Sequence, residues 1–238
     1  MESQDRATNK NIFFLLWILC IVGSWAVLPY VQYLAIVPHG VSCWKISLFG
    51  TIQSAFLFGI VCWLSFVILP KTDLHPFIVK NPLKRVVYPA VLFGVLVGLV
   101  LFLFDKTLFG NSLLSATHPP FWAGLLASIY GGVNEEVLLR LFLFTLIYFV
   151  LNKIFRFGGN KRLSVLWVTN ILVALIFGAG HLPAAFKMIS PSAFEVFRVL
   201  FLNGIAGIVF GWLYWSRGIW TAIAAHFVTD LMIHVFLI

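Results

Sequence analysis

Six residues in the second half of this 238-residue chain have types and spacings that could do hydrolytic chemistry: Glu135, Glu136, Arg140, His181, His226 and Asp230. All lie inside or at the end of long apolar runs. A charged side chain at the centre of a membrane helix costs roughly 2.5–3.5 kcal/mol on insertion scales, so several in one small chain read as a functional site. Glu136 and Arg140 are one helical turn apart and can neutralise each other. Glu135 lies about 100° further round the helix and lacks that local partner, which leaves its carboxylate free to act as a general base. His226 and Asp230 are also four apart, a spacing at which the carboxylate fixes the imidazole tautomer or keeps the ring protonated. At 1.5 Å per residue Glu135 is about 22 Å in from one end of its span and Asp230 about 18 Å in from the other, so both reach mid-bilayer. His181, followed by Pro183, lies shallower, where water can enter.

Blander readings stand beside these. Glu136 with Arg140 makes a structural pair in any protein, and a lone histidine is as often a hydrogen-bonded packing residue. Glu195 and Arg198, three apart, read as an interfacial pair. His39, His75, His118 and His234 receive no role. Cys20, Cys43 and Cys62 lack CxxC or metal spacing and read as small buried hydrophobes.

The elements that must position these groups are set by composition. Apolar residues make up 61% of the chain and charged ones 10%, against about a quarter charged in a soluble domain, so the bilayer is the solvent. Apolar runs long enough to cross it fall at about 12–36, 46–69, 87–104, 120–151, 163–181, 194–215 and 218–237, which predicts an all-α polytopic membrane protein of seven spans. The first run is too long for a signal-peptide core and is read as a retained span. The fourth, about 48 Å if fully helical, must tilt, protrude or break near Gly131-Gly132; a break makes eight spans. With seven, eleven loop Lys and Arg share the side of the N-terminus and three (Lys45, Lys106, Lys187) lie opposite; splitting the fourth span gives seven and seven. The asymmetry favours one long fourth helix and a cytoplasmic N-terminus. It also explains the net charge of +8 as a topology signal, not a nucleic-acid surface. Gly204, Gly207 and Gly211 in the sixth span are expected to let helices approach closely. The chain reads as one transmembrane domain, 1–238.

Glu135-Glu136-Val-Leu-Leu-Arg140 resembles an EExxxR motif, Phe177-Gly-Ala-Gly-His181 an FxxxH motif, and His226-Phe-Val-Thr-Asp230 an HxxxN/D motif. In this order on successive helices, with Gly207, Gly211, Trp212 and Trp220 leading into His226, they resemble the CAAX-protease and bacteriocin-processing (CPBP, Abi) family, and the type II CAAX prenyl endopeptidases within it. The resemblance covers about 118–235; residues 1–117 carry three generic spans. It implies a CAAX-prenyl-protease-like helical bundle and a glutamate-dependent endopeptidase. In that reading Glu135 with His181 activates a water, His226 and Asp230 stabilise the oxyanion, and Glu136, Arg140 and Phe177 support the site. No cofactor is implied, and the partners are the bilayer and a membrane-associated or prenylated peptide or protein. The compact length points to a bacterial plasma membrane.

Other protease classes lack their signatures: no GxSxG, no second membrane aspartate, no HExxH. Glu135, Glu136, His181, His226 and Asp230 are also metal-ligand types, so a zinc peptidase stands as an alternative. A non-catalytic immunity or scaffolding protein of the same fold is another; a proton-coupled transporter is disfavoured by the lack of paired half-structures. Asp230 stands where the prenyl proteases carry Asn. An ionised carboxylate beside an oxyanion is repulsive, so Asp230 is either protonated or, the favoured reading, acts by holding His226 as the imidazolium donor. The expected outcome is that Asp230→Asn retains peptide cleavage, and a folded but inactive variant counts against that role.

Overall fold

Lipid offers an open backbone amide no partner, so each apolar run must close its hydrogen bonds within itself. In the computed structural model every regular element is accordingly helical among the described residues, which are 2–34, 42–77, 81–110, 119–155, 161–188 and 192–237; side chains are described from Lys10 on, except those of Cys43, Phe155 and Met188. His39, Lys80, His118, Arg156 and the side chains of Arg6 and Cys43 lie outside that description. The helices are α1 (Glu2–Ala26), α2 (Leu28–Tyr33), α3 (Cys43–Ile68), α4 (Tyr88–Leu108), α5 (Phe121–Tyr130), α6 (Thr145–Phe155), α7 (Arg162–Met188), α8 (Ala193–Arg217) and α9 (Ile219–Leu231). Seven helical spans are long and apolar enough to cross a membrane: Lys10–Tyr33, Trp44–Lys71, Leu83–Leu108, Phe121–Ile154, Arg162–Lys187, Ala193–Arg217 and Ile219–Phe236. The chain is an integral membrane protein of all-α architecture, as its composition predicts. The fourth span stays continuous from α5 to α6 and contains two π-helical segments, Gly131–Glu135 and Val137–Phe144.

α9 is central, packed by α4, α5, α8 and the first π segment, while α7 lies along α8 and α1 along α3. Glycine permits the closest approaches. A Cβ on Gly94 of α4 would stand 2.6 Å from Val228 Cβ and 2.8 Å from the Ala225 carbonyl of α9. In the sixth span Gly207 abuts Ala174 and Gly211 abuts Asn170, as expected, but a Cβ on Gly204 would meet nothing within 4 Å. Gly204 is therefore not a packing contact; it borders open space. Between α8 and α9 the chain turns at Gly218, whose φ of 104° suits a residue without a Cβ, and the Ile219 amide donates to the Pro76 carbonyl at 3.0 Å.

Ion pairs tie helix ends at both rims. Arg198, only 5% exposed, reaches Asp105 of α4 at 2.6 Å and Glu195 at 3.3 Å, so the expected interfacial pair is present and is joined by a closer interhelical one. At the other rim Asp73 accepts from Tyr148 at 2.7 Å and from Arg162. Partial burial pushes the Asp73 carboxyl up, but the hydrogen bonds from Arg162 and Tyr148 outweigh it and hold the group below the ordinary carboxylate range. That contribution to stability is present at neutral pH and is lost as the pH falls through the lowered value. Gly94→Ala should destabilise the fold by about 1–3 kcal/mol, because the methyl meets a backbone carbonyl that cannot yield cheaply; a lower unfolding midpoint in detergent checks it.

Candidate intramembrane active site

The π segments place the fourth span's charges. Each π turn holds an extra residue, so side chains gather on a wider arc than an α-helix allows, and such turns recur at functional sites. The first of them packs against α9. A Cβ on Gly131 would lie 2.1 Å from Asp230 Oδ2 and 3.3 Å from His226 Nε2, and one on Gly132 would lie 3.0 Å from the Ile223 carbonyl. Only glycine lets the backbone come this close, so this pair, in a fourth span that stays one helix, brings Glu135 and Glu136 to the face of α9.

At the centre Glu136 and Arg140 are both 0% exposed, and Arg140 Nη1 donates to Glu136 Oε1 at 2.7 Å. The same oxygen stands 2.8 Å from His226 Nδ1. Because a carboxylate accepts, that ring nitrogen carries the proton, and it is Glu136, not Asp230 as the spacing suggested, that fixes the ring. His226 Nε2 then points to the other two carboxyls, 3.8 Å from Glu135 Oε2 and 3.6 Å from Asp230 Oδ1. These separations are longer than hydrogen bonds and leave Nε2 able to meet an oxygen that enters between them. Glu135 and Asp230 keep 23% and 16% of their side-chain surface open, in contrast to the sealed Glu136.

Aromatic rings box the cations in. Phe210 stacks on His226 with centroids 4.5 Å apart, and Phe177 meets the same ring edge-on at 5.7 Å. The Arg140 guanidinium lies over Phe177 at 5.0 Å and Phe210 at 5.6 Å, and its Nη2 donates to the Gly207 carbonyl at 3.2 Å. His181 joins this group through Phe177, ring against ring at 4.7 Å. Its Nδ1 is 2.9 Å from the Phe177 carbonyl and must donate to it, so the neutral ring presents Nε2 as an acceptor.

All six residues singled out by spacing and motif therefore fall in one neighbourhood, five of them in direct charge contact and His181 one ring away. Phe210 and Gly131 were missed. Neither is of a type that chemistry requires, and their signal is only their position three residues after Gly207 and four before Glu135. His234, given no role, is bonded at Nδ1 to the Tyr30 hydroxyl at 2.9 Å. Among the described residues no group of three His, Cys, Asp or Glu is arranged to hold a metal ion. Arg140→Ala removes the cation and leaves Glu136 buried against His226 alone. Loss of one partner of a buried pair costs about 3–5 kcal/mol, so this variant should unfold at markedly lower denaturant in mild detergent.

Among known families, residues 117–232 match the model described as type II CAAX prenyl endopeptidase Rce1-like, nearly the stretch over which the three motifs resemble such enzymes. No curated protein and no solved structure gives a match. The matched stretch contains Glu135, Glu136, Arg140, His181, His226 and Asp230, and it is an Rce1-like domain, similar to the type II CAAX prenyl endopeptidases.

Proposed function

We propose that the chain is an intramembrane endopeptidase that uses a water activated by Glu135 to cut a peptide bond of a membrane-associated or lipidated protein or peptide. Prenylated substrates fit the description of its family. The observation that supports this best is the division of labour among the carboxyls. Glu136 is sealed, its Oε1 held by Arg140 and His226, while Glu135 is partly open and faces His226 Nε2 at 3.8 Å.

In this reading Glu135, aided by the free Nε2 of His181, takes a proton from water. The resulting hydroxide forms a bond to the scissile carbonyl carbon. The oxygen that gains charge lies at His226 Nε2, whose imidazolium donates to it while Nδ1 stays on Glu136. Collapse of the tetrahedral intermediate breaks the C–N bond, and the proton held by Glu135 passes to the leaving amine. Glu136 and Arg140 hold the donor in place, and Asp230 adds a second acceptor beside Nε2 that an amide could replace. The excess of loop Lys and Arg on the N-terminal side favours a cytoplasmic N-terminus, and the compact length a bacterial plasma membrane.

Glu135→Gln is the test, since it keeps the shape and removes the base. Cleavage of a quenched prenyl-cysteine peptide in liposomes should fall roughly 10²–10⁴-fold, the usual weight of general base catalysis, with the unfolding midpoint preserved. A folded Glu135→Gln protein that cleaves at the parental rate, or that keeps the chain's cellular phenotype in full, would point to the non-catalytic role. Activity lost in chelator and restored by zinc would reassign the carboxyls as metal ligands.

A further inference from the structure

Glu135 is preceded by a residue for which the proposed chemistry has no use. Asn134 is 0% exposed, inside the bundle, and turned away from the carboxyl cluster. Its Nδ2 donates to the Cys20 carbonyl of α1 at 2.7 Å and to Ser24 Oγ at 3.0 Å. Ser24 Oγ also donates to the Cys20 carbonyl at 2.9 Å and lies 2.8 Å from Ser54 Oγ of α3. The Cys20 carbonyl can only accept, so the amide orientation is fixed and its oxygen must face the other way. That oxygen is buried with no hydrogen-bond partner, and it occupies the space in which a Cβ of Gly23 would stand, 2.0 Å away.

An amide with an orphaned oxygen is a poor choice for stability, because a leucine would fill such a position in lipid without leaving a polar atom unpaired. What the amide supplies is direction. It ties one residue of the π segment Gly131–Glu135 to the backbone of a different helix. A π turn that relaxes to α geometry changes register by one residue, which carries the next side chain about 100° round the axis. Glu135 would then leave the face on which it meets His226.

We infer that Asn134 is a positioning residue through which the first two spans, outside the family-matched stretch, set the direction of Glu135. The inference rests on Glu135 being the base, and one of its two tests does not depend on cleavage. In a chain with Cys20, Cys43 and Cys62 changed to Ala, Glu135→Cys should react readily with a water-soluble methanethiosulfonate, because position 135 keeps 23% of its side-chain surface open. Adding Asn134→Leu should slow that reaction roughly tenfold, a drop of the size expected for a thiol turned out of reach. Gly23→Ala, which displaces the amide oxygen from the α1 side, should do the same, and Ser24→Ala with Ser54→Ala should give an intermediate effect.

With Glu135 in place, Asn134→Leu and Gly23→Ala should lower kcat by as much as roughly a hundredfold while KM stays within about twofold, the pattern of a misplaced reacting group as opposed to a weakened binding site. Where Asn134→Leu does not fold, Gly23→Ala and the double serine variant carry the comparison. Folded variants with parental labelling and parental kcat overturn the inference. A parent chain that cleaves nothing refutes the peptidase reading instead, and the labelling rates still decide whether Asn134 aims position 135.

Discussion

One oxygen holds the site together. Glu136 Oε1 accepts from Arg140 of its own helix and from His226 of α9, in a place that neither water nor lipid reaches. A carboxylate so enclosed is tolerable only while both donors stay, and each donor is tolerable only while the carboxylate stays. The rest of the bundle can be understood as the means of keeping these three groups in register. Glycines at 131 and 132 bring the two backbones near enough, rings from α7 and α8 flank the cations, and the Gly207 carbonyl takes a further guanidinium proton.

The same arrangement separates rigidity from reactivity. Glu136 and Glu135 are neighbours in sequence, yet one is locked into a neutralised brace and the other looks into open space beside an imidazole nitrogen. Adjacent residues on a helix point about 100° apart, so a single turn can serve both purposes without a loop. The paired glutamates of the motif have this physical meaning: one secures the donor and its neighbour faces what enters.

Much of this was legible in the chain before any coordinates. Seven apolar runs gave seven spans, because length and hydropathy are nearly sufficient where the solvent is lipid. The pairing of Glu136 with Arg140 followed from spacing alone. What could not be read was long-range. Nothing in the numbering of His226 and Asp230 says that a glutamate ninety residues earlier would take Nδ1, since a four-residue spacing proposes a partner and only packing chooses one. The π segments were equally hidden: the first packs against α9 and the second mainly against α3 and α7, long-range contacts that local propensity does not report. Gly204 carried the same small-residue signal as Gly207 and Gly211 and turned out to border open space. Arg198 read as half of an interfacial pair with Glu195, and its closer partner, Asp105 of α4, had no local signal.

The turn at Gly218 carries a consequence of simple arithmetic. Phe210 lies eight residues before it and His226 eight after, so two antiparallel arms of equal length, about 12 Å at 1.5 Å per residue, leave a joint one residue wide. Their tips meet at equal depth, which is why ring falls flat on ring. The hairpin thus works as a caliper whose pivot, at the membrane rim, sets the level of an imidazole in the interior. A joint longer by one residue would offset the tips and leave His226 facing a different rung of α8.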